Sequence, residues 1–394
     1  MTVANGKQFL AIPGPTNVPD AVLQAMHRPA VDLYNGSMLD TTATLLRDMP
    51  KVFRTQSKCF IYAANGHGGW EASLSNVLSR GDHVLVLESG RFAIGWGDMA
   101  KMMGAEVEVL SGNWRAAVDP AAVEKRLRAD TTHTIKAILV VQIDTASGVV
   151  NDIAAIRKAI DAAKHPALYL VDTVASLGCM PFEMDAWGVD VAMCGSQKGL
   201  MAPPGLAFVA ANDKALEAHK IANMKTLYWD WSFRLGELHY HKYCGTPPEH
   251  LLWGQRAAMD ILLGEGLENA WRRHALLAEA TRRAVDVWST GQVLSFNISN
   301  PAQRSNSVTN VRVDGADTTA LHTFVREKCG VTLGLGIGGY ENAAFRIAHM
   351  GHVNAPMVLG VLGSLEMALQ ALKVPHGRGG TQAAVEYLGS QVTA

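Results

Sequence analysis

The chain's 394 residues suffice for one large and one smaller domain, and 35 basic residues nearly cancel 36 acidic ones, leaving a formal net charge of −1. With no basic block and no strip of interleaved basic and aromatic residues, this balance argues against nucleic acid and anionic membranes as partners. No apolar run nears the roughly 18 residues of a membrane span, the start MTVANGKQFL has no signal-peptide core and QVTA is no peroxisomal address, so a cytoplasmic protein is expected. The five cysteines (Cys59, Cys179, Cys194, Cys244, Cys329) are odd in number, far apart and without a CxxC pair; they read as reduced core or loop residues rather than a disulfide frame or zinc site.

In chain order, IPGPTNVP, with Pro13, Pro15 and Pro19, excludes a regular helix or central strand and reads as a rigid extended segment. VDLYNGSM follows, carrying Tyr34 and Asn35. Beyond Phe60, the spacing of Trp70, Leu74, Val77 and Leu78 predicts a helix starting near Gly69, with Asn65, Gly66, His67 and Gly68 in the turn before it. Backbone amides and the positive end of a helix dipole would face an anion there, though such a turn is more often only a turn. Strands are predicted over 83–87 and 106–110, a helix opening at Asp119-Pro120, a strand over 134–141 and, past the loop QIDTASGVVND with Thr145, a helix over 153–163 capped by Asp152.

Two short apolar runs come next. Residues 167–171 read as a buried strand ending in Asp172, and 191–194 as another that delivers Lys198 into a turn between Gly195 and Gly199. After the turn Pro203-Pro204-Gly205, a strand over 206–210 completes an alternation of strands and helices that predicts an α/β fold with a mainly parallel sheet covered on both faces. The aromatic-rich stretch TLYWDWSFRLGELHYHKYCGTPPEH has no clear period, and His239, His241 and His250 lack a compact ligand spacing with a carboxylate, so no metal is expected. Amphipathic helices over 249–263 and 267–288 lead into an α+β remainder: a strand over 307–313, a helix over 319–328, a strand near Val331, a glycine-rich turn over 334–339, the segment FRIAHMG and a final long helix over 355–372. The organisation expected is an arm, 1–20, a large domain, 21–263, and a small C-terminal domain, 264–394.

An amine and a carboxylate, each at the carboxyl end of an apolar strand, sit where open α/β sheets place ligands. Pyridoxal phosphate needs this pair: a lysine to form the Schiff base and an acid to keep a proton on the pyridine nitrogen. Taken singly, Lys198 reads as a surface lysine and Asp172 as a helix cap.

GSQK and VD-x-V-x-S-LG in this order, with PGPTN near the start and FRIAHMG near the end, resemble the class V, fold-type I pyridoxal-phosphate aminotransferases, close to the serine, alanine and aspartate–glyoxylate enzymes. The resemblance implies that Lys198 is catalytic and that Asp172 holds the pyridine nitrogen. It further implies that Phe92 stacks on the ring, that Thr145 bonds the phenolic oxygen, and that Gly66, His67 and Gln197 hold the phosphate with Tyr243 and Thr246 reaching across from the other subunit of a homodimer. Arg346 would bind the substrate carboxylate, as a guanidinium can in paired fashion, and Gly14, Tyr34 and Asn35 would line the mouth. The chain departs from the family at Tyr34 and Asn35, which leaves the donor open. The activity implied is transfer of an amino group from serine, alanine or aspartate to a 2-oxo acid, glyoxylate first. Alternatives on the same scaffold are a pyridoxamine–pyruvate transaminase, a lyase or a desulfurase using Cys329; beyond them stands a non-catalytic binding protein.

Overall fold

A computed structural model describes residues 2–392. The chain opens with strand β1 (Phe9–Ala11) and helices α1 (Asp20–Met26) and α2 (Ser37–Phe53), followed by β2 (Lys58–Ala63), α3 (Gly66–Val77), β3 (His83–Leu87), α4 (Arg91–Met103), β4 (Glu106–Leu110), α5 (Pro120–Ala129) and β5 (Ile135–Val141). A two-stranded ribbon, β6 (Ile143–Asp144) and β7 (Val149–Val150), precedes α6 (Ile153–Ala162), β8 (Leu168–Asp172), β9 (Val191–Gly195), β10 (Leu206–Ala211), α7 (Asp213–Ile221) and the short α8 (Trp231–Arg234). Helices α9 (Glu249–Glu265) and α10 (Leu267–Ser289) then lead to β11 (Leu294–Phe296), β12 (Val308–Val313), α11 (Thr318–Cys329), β13 (Val331–Leu335), β14 (Ala344–Ala348), α12 (Ala355–Ala371) and α13 (Gly380–Gln391).

Seven strands form the larger sheet in the order β2-β10-β9-β8-β5-β3-β4, with β10 antiparallel to both neighbours and the rest parallel. Strands β8, β9 and β10 are buried along their whole length, which is why they read as continuous apolar runs rather than alternating ones. One core cluster, including Phe53, Tyr169, Phe208 and Met259, covers one face, and another, including Trp70, Trp96, Met193 and Trp231, covers the other. The smaller sheet runs β1-β13-β14-β12-β11 and packs with α10, α11, α12 and α13 around Trp288, Phe345 and Leu365.

Three expectations are corrected. Helix α3 begins at Gly66, not near Gly69, because the Asn65 side chain accepts from the amides of His67 at 3.1 Å and Gly68 at 3.2 Å and so starts the helix early. The arm over 1–20 carries a strand not expected from the sequence: Phe9–Ala11 pairs in parallel with Val331–Leu333, at the edge of the smaller sheet. The helix over 355–371 is not the last, since Glu366 projects from it and accepts from the amides of Gly379, Gly380 and Thr381, capping α13. Among the described residues no helix is long and apolar enough to cross a membrane.

Candidate active site

Beyond the carboxyl end of β9 the chain turns sharply through Ser196, Gln197 and Lys198. Ser196 Oγ donates to the Pro203 carbonyl at 2.6 Å, and Thr16 ties down the other side, its amide bonding Gln197 O at 3.0 Å and its hydroxyl Lys198 O at 3.1 Å. A side chain at Gly199 would overlap the Leu177 carbonyl, so the turn needs glycine there. Lys198 Nζ donates to the Pro13 carbonyl of the crossing N-terminal segment. Gly14, at φ +100°, passes so close that a Cβ would stand 2.5 Å from Lys198 Cε. Burial, then the nearby Arg346 charge, lowers the Lys198 amine to a pKa of about 8.

Asp172 ends the neighbouring strand β8, in register with Met193 of β9. Its two oxygens are taken separately, Oδ2 by Trp70 Nε1 at 2.7 Å and Oδ1 by the Val174 amide at 2.6 Å. Desolvation nevertheless raises the carboxyl to about 6, with the buried Asp144 adding to the effect. Asp144 receives the amides of Phe92 at 2.9 Å and Ala93 at 3.1 Å on Oδ2, and that of Ala146 at 3.0 Å on Oδ1. It therefore caps α4 from another part of the chain and fixes the backbone on both sides of the cavity, at Phe92 and beside Thr145.

These groups surround a cavity of about 330 Å³ lined by Gly66, His67, Phe92, Thr145, Asp172, Gln197 and Lys198, among others. The His67 ring leans on Trp70 with centroids 4.4 Å apart, and Trp70 stacks in turn on Trp96 at 5.9 Å. At the start of α3 two of the amides expected to be open are held by Asn65, leaving the Gly66 amide without an acceptor among the described residues. Gln197 Oε1 is buried and has no hydrogen-bond partner among them.

A second cavity shares Gly14, Phe92, Thr145 and Lys198 with the first and reaches Arg346 on β14. Arg346 is buried; its Nε donates to Leu335 O at 2.6 Å and Nη1 to Thr145 O at 3.0 Å, which leaves Nη2 without a described acceptor. Burial lowers this guanidinium to about 10, opposed by the charge of Asp144. Gly334 makes the approach possible, since a Cβ there would lie 2.7 Å from Pro13 Cδ and 3.0 Å from Arg346 Cβ.

One chain thus brings together Gly14, Gly66, His67, Phe92, Thr145, Asp172, Gln197, Lys198 and Arg346. It does not bring in the other four expected residues. Tyr243 is buried with its hydroxyl 2.6 Å from Thr42 Oγ1, Thr246 is exposed, and Tyr34 and Asn35 lie in an exposed turn where Asn35 Nδ2 donates to Asp32 at 3.0 Å. Cys329 ends α11 and lines neither cavity. Trp70, Asn65 and Asp144 were missed by sequence reasoning. For Asp144 the sequence offered only Gly90, a residue with no side chain to cap α4, which leaves the first amides of that helix to a partner from elsewhere in the chain or to solvent.

The family model for class-V aminotransferases matches residues 9–348. The serine–glyoxylate aminotransferase of Methylorubrum extorquens is 41% identical over 97% of this chain and 96% of its own, and the L-aspartate–glyoxylate aminotransferase of Paracoccus denitrificans is 38% identical over 97% and 96%. Among solved structures, pyridoxamine–pyruvate aminotransferase from Mesorhizobium loti superposes with a TM-score of 0.90 at 27% identity, covering 100% of both chains. Strand order, site geometry and full-length similarity agree: the chain belongs to the class V aminotransferases, with their fold-type I α/β architecture.

Proposed function

We propose that the protein is a pyridoxal 5′-phosphate-dependent aminotransferase that moves an amino group from serine, alanine or aspartate to a 2-oxo acid, glyoxylate first, giving glycine. The observation that carries this reading is a single hollow holding an amine of lowered pKa, a buried carboxylate and a guanidinium with an open edge: Lys198, Asp172 and Arg346. The residues fit the cofactor. Asp172, its oxygens oriented by Trp70 and Val174, offers an acceptor to a ring N–H, while Phe92 in the same lining offers a flat face to the ring. The open Gly66 amide suits a phosphate at the N-terminus of α3, with His67 and Gln197 in the same lining; the Gln197 atom left unpartnered is Oε1, an acceptor that would itself need a donor.

When bound, the cofactor would supply a carbonyl that condenses with amines and a ring that accepts electrons. The protein's own part is orientation and proton movement. Arg346 Nη2 and Nη1 grip the substrate carboxylate and set the Cα hydrogen toward Lys198. Lys198 Nζ, whose pKa burial lowers to about 8 and so brings toward the working range of a base, removes that proton and returns it as acid. Asp172 stays ionised above about pH 6 and holds positive charge at the floor of the hollow. One binding site serves donor and acceptor in turn, so ping-pong kinetics are expected.

Tyr243 and Thr246 complete the phosphate site, and Tyr34 and Asn35 the mouth, only in a homodimer in which each copy serves the other's hollow. The chain then divides into an arm, a large domain over 21–263 and a small domain over 264–394, with β1 lent to the small one. A cytoplasmic location accords with near-neutral charge and five free cysteines. A second reading, pyridoxamine as donor and pyruvate as acceptor, draws on the likeness to the Mesorhizobium loti enzyme.

The test is the absorbance of the purified, cofactor-loaded protein while single donors are added. A spectral change with one amino acid, reversed by glyoxylate and absent in Lys198→Ala, is the result expected. Turnover of free pyridoxamine with pyruvate, and no change with any amino acid, would replace the first reading by the second; if neither occurs, both readings fall.

A further inference from the structure

The second cavity extends past Arg346 to the face of α11. Its lining holds four basic side chains, Lys198, His322, Arg326 and Arg346, and no aspartate or glutamate. An α-carboxylate alone needs only Arg346, whose guanidinium is already fixed by two backbone carbonyls. His322 and Arg326, four residues apart on one face of the helix, have no use for a donor as small as alanine.

We propose that His322 and Arg326 bind a second carboxylate on the side chain of the amino donor, so that the preferred donor is an acidic amino acid of the aspartate or glutamate class. This rests on the aminotransferase reading and narrows its donor. Two observations besides the charge count support it. His322 lines the cavity, and its Nε2 is buried without a hydrogen-bond partner among the described residues, so a turn of the ring toward the cavity would bring an unsatisfied nitrogen to a ligand oxygen. Arg326 pairs only with its neighbour Glu327, at 3.1 Å, and both side chains are more than half exposed, at 60% and 53%, so the pair is weak and the guanidinium is free to turn inward. Burial first, and then the charges of Arg326 and Arg346, lower His322 to a pKa of about 4, so it enters as a neutral hydrogen-bonding ring and the positive charge beyond Lys198 is carried by the two guanidiniums. Thr332, on the strand that follows α11, adds a hydroxyl to the same wall. A dicarboxylate spanning Arg346 and Arg326 gains charge-assisted bonds at both ends that serine and alanine cannot make. The exchange needs no further reagent. The donor's C–N bond breaks and its Cα becomes the ketone carbon of a 2-oxo diacid; the acceptor's carbonyl carbon gains the amino group and a hydrogen, and its oxygen is matched by the one the donor acquires through water.

The experiment measures kcat and KM of the loaded enzyme with aspartate, glutamate, serine and alanine against glyoxylate, for the native protein, Arg326→Gln and Arg326→Lys. The native enzyme is expected to favour an acidic donor over alanine by about tenfold or more in kcat/KM, and Arg326→Gln to cut that ratio roughly 10- to 100-fold, mainly through KM, with Arg326→Lys in between. Calorimetry on the same proteins supplies a readout without turnover: succinate should bind the native enzyme more tightly than propionate, and Arg326→Gln should remove the difference. If transamination proceeds but the ratio and the succinate preference are the same in Arg326→Gln, the proposal falls and the aminotransferase reading stands. If no amino acid reacts, both fall.

Discussion

The floor and the rim of the hollow are built on opposite principles. The floor is finished within one chain: Lys198 and Asp172 sit at the ends of fully buried neighbouring strands, and every oxygen of Asp172 and Asp144 is oriented by an N–H. The rim is unfinished, with Tyr34 67% exposed, Thr246 on the surface and the Tyr243 hydroxyl turned to Thr42. In the proposed reading the proton chemistry belongs to the rigid sheet, whereas completion of the phosphate site and of the mouth is left to segments that a second copy would order. Mutations in the two regions should therefore fail differently, the floor in turnover and the rim in affinity.

The largest loss is expected at Lys198→Ala, which removes the base. Single-turnover rates with the best donor should fall on the order of 10³- to 10⁴-fold, and the loss should persist at saturating cofactor. A loss cured by added cofactor would put Lys198 with the rim and break the contrast. Next comes Asp172→Asn, which keeps an acceptor for one of Trp70 and Val174 but loses the charge. The expected cost in kcat is on the order of 10²- to 10³-fold. The native enzyme's rate should also decline on the acid side, where protonation removes the charge at the floor; burial alone raises Asp172 and Asp144 to about 6, and a ring N–H at Asp172 moves the limb below that value. A pH–rate profile of Asp172→Asn should have lost most of that acid limb. If the limb is unchanged, it belongs to another group.

How much of this was legible follows from the same division. Lys198 and Asp172 stood out because a short apolar run ending in a polar residue marks a strand end, and the structure keeps both where the pattern puts them. Asp144 did not, because in QIDTASG a buried aspartate looks like any turn residue; its three amide partners come from α4 and from two residues onward. The aromatic stretch resisted reading for a physical reason as well. Its shape is set by the buried Arg234, which donates to the carbonyls of Ile61 at 2.8 Å and of Tyr228 at 3.0 Å and lies 4.0 Å over the Tyr62 ring. None of those partners follows from local periodicity. The roles of Tyr243 and Thr246 were suggested by resemblance alone, since spacing within one chain cannot show what a second chain completes.

Thr246→Ala sharpens the rim side of the contrast. Loss of the phosphate contact proposed for its hydroxyl should weaken cofactor binding roughly tenfold, the worth of about 1.4 kcal/mol, while kcat at saturating cofactor stays within about twofold. Equilibrium dialysis separates the two, and a fall in kcat without a fall in affinity would place Thr246 in the floor's class.

The smallest effect is argued for Asn65→Ala. The side chain caps α3 by holding the amides of His67 and Gly68, so its removal should cost about 1 kcal/mol of stability, as for other N-caps. The two amides it frees sit beside that of Gly66, where the phosphate is proposed to lie. The variant's cofactor affinity is therefore expected to rise as the free protein's stability falls, because a bound phosphate accepts from the amides that Asn65 gives up. Melting curves with and without cofactor measure this directly: destabilisation in the free protein should shrink when cofactor is present. Equal destabilisation in both states would mean that Asn65 only starts a helix, and that the phosphate is held elsewhere on the floor.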